Sequence, residues 1–112
     1  MDRDGGDNKT SLDQYVGLCV VLDTPGPLVY IGRLAAYDER GYWLTDADVH
    51  DRDDGHSTKE KYLNDACLLE RSGARPVNRR RVFVERSAIV SISALDDVIA
   101  DGHINIFDRW PV

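Results

Sequence analysis

LVYIGRLAAYDERGYWLTDA, residues 28–47, is the stretch on which the fold turns. It holds two apolar runs hinged at Asp38-Glu39-Arg40-Gly41, the pattern of two antiparallel strands joined by a tight turn. Gly32 lies within the first run, where a missing side chain weakens pairing but permits the bend or close backbone approach that a small barrel needs. A second block, VFVERSAIVSISA at residues 82–94, has two short β-branched runs hinged at Glu85-Arg86-Ser87, again a hairpin-like signal. Neither block can bury itself alone, and the polar segment 48–81 holds them apart.

Outward from these blocks, LCVVLD at 18–23 reads as a further strand between Gly17 and the turn Thr24-Pro25-Gly26-Pro27. Ser11-Leu12-Asp13-Gln14 matches a capping box and predicts a short N-terminal helix ended by Gly17. A second box, Ser57-Thr58-Lys59-Glu60, opens a predicted helix in which Tyr62, Leu63, Ala66 and Leu69 form one apolar face, ended by Ser72-Gly73. The organisation expected is a flexible tail over 1–9, one domain over 10–95 with a helical insertion at 48–81, and a C-terminal extension over 96–112. That extension carries Ile104, Ile106, Phe107 and Trp110, enough apolar surface to require a docking site. The fold class is mainly β: a small five-stranded SH3-like barrel with a short N-terminal helix and a helical insertion.

The 112 residues make one domain with little core to spare. Hydrophobic residues at 42% and charged residues at 30% match a soluble globular chain. A net charge of −6 argues against a surface that tracks a phosphate backbone everywhere, while leaving room for a local basic site. Cys19 and Cys67 fit no metal spacing and read as reduced core thiols. No apolar run is long enough for a membrane span, which needs ~18 residues or more, and the first residues lack a signal-peptide pattern, so a cytoplasmic location is expected.

The ordered set Gly17-Leu18-Cys19-Val20-Val21, Tyr30-Ile31-Gly32-Arg33-Leu34, Tyr37-Asp38 and Leu44-Thr45-Asp46-Ala47 resembles the first motif of the Sm-like (LSm) family. Val82-Phe83-Val84 and Ile89-Val90-Ser91-Ile92-Ser93 resemble the strands of its second motif. The likeness covers roughly residues 12–48 and 80–95. It suggests a divergent, bacterial-type member whose loop between strands three and four is enlarged by a capped helix. The family pairs the fourth strand of one subunit with the fifth of the next, in rings of about six or seven. Closing a ring removes two exposed strand edges at once. The resemblance therefore implies a homo-oligomer with Val82, Phe83, Val84, Ile89, Val90, Ser91 and Ile92 at the subunit interface.

Family members bind U-rich or A-rich RNA through two loops, and both are altered in this chain. The first, Asp38-Glu39-Arg40-Gly41-Tyr42-Trp43, keeps the aspartate but lacks the asparagine; the second reads Val84-Glu85-Arg86-Ser87 where isoleucine-arginine-glycine is expected. Candidate nucleic-acid residues are Asp38, Tyr42 as a stacking ring, and Arg79, Arg80, Arg81 and Arg86 as phosphate ligands. A structural reading stands beside each: Tyr42 as a packed strand residue, and the arginines as partners of Asp46, Asp48, Asp51, Asp53 and Asp54 in the same or a neighbouring subunit.

The acidic loop fails as a calcium loop, because counting from Gly55 puts Arg52 and Lys61 where carboxylates belong. Asp46, Asp48, His50 and His56 form a weaker candidate for a divalent-metal site. There is no glycine-rich phosphate loop and no nucleophile–base set, so neither an enzyme nor a cofactor is expected. Three functions remain open: a ring-forming scaffold with the RNA pocket altered, an RNA-binding protein selecting single-stranded U- or A-rich RNA, and a monomeric barrel that binds peptides along an edge strand.

Overall fold

The computed structural model describes residues 12–53 and 58–99. Five antiparallel strands, β1 (Cys19–Asp23), β2 (Leu28–Tyr37), β3 (Gly41–Asp51), β4 (Arg79–Glu85) and β5 (Ser91–Ala94), form one sheet in the order β4-β3-β2-β1-β5. One helix, α1 (Lys59–Arg71), lies between β3 and β4.

The first hairpin forms as its sequence requires. Asp38 Oδ1 accepts from the backbone N–H groups of Arg40 (2.7 Å) and Gly41 (3.2 Å), and its own N–H donates to Gly41 O at 3.0 Å. Two irregularities then bend the β2–β3 ladder. The register slips between Ile31 and Arg33, opposite Asp46 at φ 48°, and again between Leu34 and Ala36. Gly32 sits at the first slip, where a Cβ would stand 3.0 Å from that of Ala47 and 3.1 Å from that of Leu44, so the bend depends on its missing side chain.

The second hairpin-like signal does not give a hairpin. A 3-10 turn at Arg86–Ala88 redirects the chain, and Val90 N–H donates to Asp23 O at 2.8 Å, so β5 crosses over and pairs with β1. The strands β4 and β5 consequently occupy opposite edges, and the described ladder is open where a closed barrel was expected. The barrel character survives as curl: Leu22, Leu34, Leu44 and Val84 share one core cluster, and Ile92 of β5 packs on it.

The unbroken apolar run of β1 is explained by burial on both faces. Val20 and Leu22 enter that first cluster, while Val21 joins Val29, Ile31 and Leu95 in a second cluster closed by Ala66 and Cys67 of α1. The insertion therefore covers the other side of the sheet over β1 and the first half of β2.

Three boundaries differ from expectation. The long helix is mid-chain; at the N-terminal side only Leu12 and Asp13 are helical among the described residues, and Tyr15, Val16 and Leu18 donate to carbonyls three residues back in tight turns around Gly17 at φ +89°. Strand β3 runs on to Asp51, through residues expected to be loop, because Asp48–Asp51 pair with Ile31–Leu28 of β2, while on the other edge Asn78 gives Val49 a side-chain partner for both its N–H (2.9 Å) and its C=O (3.0 Å). The strand β5 begins at Ser91, with residues 86–88 taken by the turn. Ser11, Ser57, the 1–9 tail and the apolar stretch 103–112 lie outside the described residues. Among the described residues no helix is long and apolar enough to cross a membrane.

Candidate functional site

The two loops singled out by the sequence meet at one end of the sheet. Gly41 pairs with Glu85, and Arg86 N–H donates to Arg40 O at 2.8 Å. The approach is close: a Cβ on Gly41 would stand 2.2 Å from Val84 O and 2.8 Å from Phe83 Cζ. Asp38 is engaged in shaping this turn, as above. Arg40 and Arg86 are exposed beside Glu39 and Glu85, so the end presents mixed charge. Arg40 was not among the residues read from the sequence, where attention fell on the absent asparagine; its place two residues after a turn-forming aspartate was the available signal.

Tyr42 points inward. It is 6% exposed within the first core cluster, which removes its ring from the surface. The outward aromatic is its neighbour Trp43, 36% exposed, with the Phe83 ring 5.0 Å away at a 58° tilt and the Arg81 guanidinium 4.5 Å from the ring centroid. Strand alternation carried this information: Tyr42 and Leu44 face in, Trp43 and Thr45 face out.

Arg79 and Arg81 sit opposite Ala47 and Thr45, at the far end of β4 from Glu85. At roughly 3.3 Å per residue, four to six strand positions place them about 13–20 Å from the Arg40–Arg86 end. The candidate nucleic-acid residues thus divide into two groups, one at each end of β4. The proposed interface residues also divide between the sheet edges. Val84 is buried, and Val82, Ile89 and Ile92 are partly buried against the first cluster. Phe83 touches Trp43, while Ser91 is exposed and Val90 is 63% exposed.

Within the insertion, the polar side chains mostly tie α1 to the sheet. The Tyr62 hydroxyl donates to the buried Asp48 carboxylate, and the Tyr62 ring stacks on His50 with centroids 3.9 Å apart. Burial, with Asp48 as acceptor, pushes the Tyr62 phenol far above its ordinary value. Lys59 Nζ reaches Asp23 at 2.7 Å and Thr24 O at 2.9 Å. Arg75 pairs with Glu70 at 2.9 Å and donates to Asp46 O at 2.8 Å. Among the described residues no group of three or more His, Cys, Asp and Glu side chains is placed to hold a metal. Both cysteines are free, and burial raises the Cys19 thiol above its ordinary value.

No family model matches the chain. No curated protein matches it either. Among solved structures it is similar to that of the Pyrococcus abyssii Sm protein in complex with a uridine heptamer, with a TM-score of 0.50 and 14% sequence identity over 83% of this chain and 99% of that one. At this identity the likeness speaks for the fold, and the fold is Sm-like.

Proposed function

We propose that this chain is a binding and assembly protein rather than an enzyme, one that closes copies of itself into a ring through its two sheet edges. The observation carrying this reading is the strand order: β4 and β5 both lie at open edges, and a small sheet with two free edges gains most from a contact that covers both. The Sm-like fold supports the same arrangement, with about six or seven subunits as its expected size.

A second element of the reading is RNA association at the end where Arg40 and Arg86 meet. It is favoured by the backbone bond joining the two loops and by the uridine heptamer held by the structural neighbour. The buried Tyr42 and the adjacent Glu39 and Glu85 make this a weakened version of such a site.

The edge is tested by placing charge on it. A Val90→Lys/Ser91→Lys variant changes two exposed positions at β5 and is expected to shift the oligomer toward single chains in light scattering, with its circular dichroism unchanged. A variant that assembles like the wild type would remove β5 from the interface.

A further inference from the structure

We propose that the outward face of β3 and β4 beside β2 binds single-stranded nucleic acid, a base seating against Trp43 and the backbone held by Arg81 and Arg79. This surface uses none of Asp38, Arg40 and Arg86, and it does not depend on ring closure.

Register builds the site. Residues paired across strands share a face, so Ala36, Trp43 and Phe83 form one row and Arg33, Thr45 and Arg81 form the next. Ala35 and Ala36 leave the indole uncovered on one side, opening a cleft of about 260 Å³ lined by these two alanines with Trp43, Thr45 and Arg81. No carboxylate lines it. Phe83 braces the indole, and the Arg81 guanidinium lies against it, a position from which it stacks and still presents its fork outward. Arg33, at the other end of that row, turns to Gly17 O at 2.9 Å and to a separate cleft that holds Glu70, Asp96 and Asp97, so it takes no part. Arg79, two positions along the exposed edge strand, shares the face of Arg81 and extends the cationic line, while Arg80 projects from the opposite face.

Charge decides among occupants. The chain carries −6 overall, so an exposed indole with a guanidinium against it and no carboxylate lining its cleft runs against its own composition. A polyanion bearing flat rings satisfies both features, since bases stack on the aromatic and phosphates take the guanidinium groups. An acidic peptide would engage the arginines and leave the indole unexplained. A copy of the same chain would cover the indole at the cost of burying guanidinium groups beside it.

The test is fluorescence anisotropy of labelled oligouridine, oligoadenosine and oligothymidine with the full chain, repeated across salt. Trp43→Leu is expected to weaken binding about tenfold, while Trp43→Phe, which keeps a ring, retains most of it. Arg81→Gln should lower the slope of log affinity against log salt by about one. Thermal melts of all variants separate lost binding from lost folding, and the phenylalanine variant keeps the test informative if the leucine one unfolds. The proposal is overturned if the folded Trp43→Leu chain binds like the wild type, if the wild type binds none of the probes at low salt, or if Trp43→Leu changes only the mass in solution. An Arg40→Gln/Arg86→Gln variant separates the two sites. If it alone abolishes binding, the loop reading stands and the outward face fails; if it changes nothing while Trp43→Leu does, the reverse holds.

Discussion

Gly41 is the residue at which the chain has least freedom. Its Cβ position falls on Val84 O and Phe83, so Gly41→Ala must push β4 away from β3 and is expected to cost about 2 kcal/mol or more. Chemical denaturation checks this, with Gly26→Ala as the control: a Cβ there meets nothing within 4 Å and should leave the midpoint unchanged. Asp38 acts in the same turn. Asp38→Ala removes the acceptor for two backbone N–H groups and is expected to lower stability by about 1 kcal/mol, read in the same experiment. At this scale the sequence was partly legible. The turn and the bend at Gly32 follow from residue chemistry alone, and of the two readings of Tyr42 the fold keeps the packed strand residue; that Trp43 is the ring facing water follows from strand alternation, which the family pattern of the loop does not carry.

The insertion helix shows how an element can be read correctly in kind and incompletely in purpose. Its Ser72-Gly73 stop and its need to dock were legible, and its apolar face in part: Tyr62, Leu63 and Ala66 pack as expected, but Cys67 is buried where Leu69, 37% exposed, was expected; Gly73 at φ +77°, with Gly73 and Ala74 N–H donating to Glu70 O and Leu69 O, is the expected C-terminal cap. The start belongs to Thr58, whose side chain accepts from Lys61 N–H. Two features were not legible: that polar residues 48–51 would pair with the start of β2, with Asn78 and Tyr62 as further partners, and that the second hairpin-like block would split across opposite sheet edges. Both depend on partners distant in sequence.

The Tyr62–Asp48 contact also gives α1 a pH signature. With the folded phenol raised above its ordinary 10.0, the contribution is complete below about pH 10 and is lost as pH rises further, because only the unfolded chain ionises there. Denaturation midpoints measured from neutral to strongly alkaline pH should fall at the top of the range in the wild type. Tyr62→Phe should be less stable at neutral pH but flatter above pH 10. An equally steep alkaline fall in Tyr62→Phe would assign that fall to other groups.

At the scale of the whole molecule, what the sheet lacks matters most. Val82 and Val84 of β4 and Ile92 of β5 lean into one cluster from opposite edges, yet no ladder joins the two strands, so the curl brings both free edges to the surface of a single small domain. An isolated chain would leave both edges as templates for uncontrolled pairing. The proposed ring would convert that hazard into a defined assembly and would leave the outward Trp43 face and the Arg40–Arg86 end as separate places for a ligand. The most direct test of this account is the mass of the full chain in solution by sedimentation velocity. One species at about six or seven times the 12.6 kDa of a single chain is the predicted result; a species at 12.6 kDa that persists as concentration rises would contradict it.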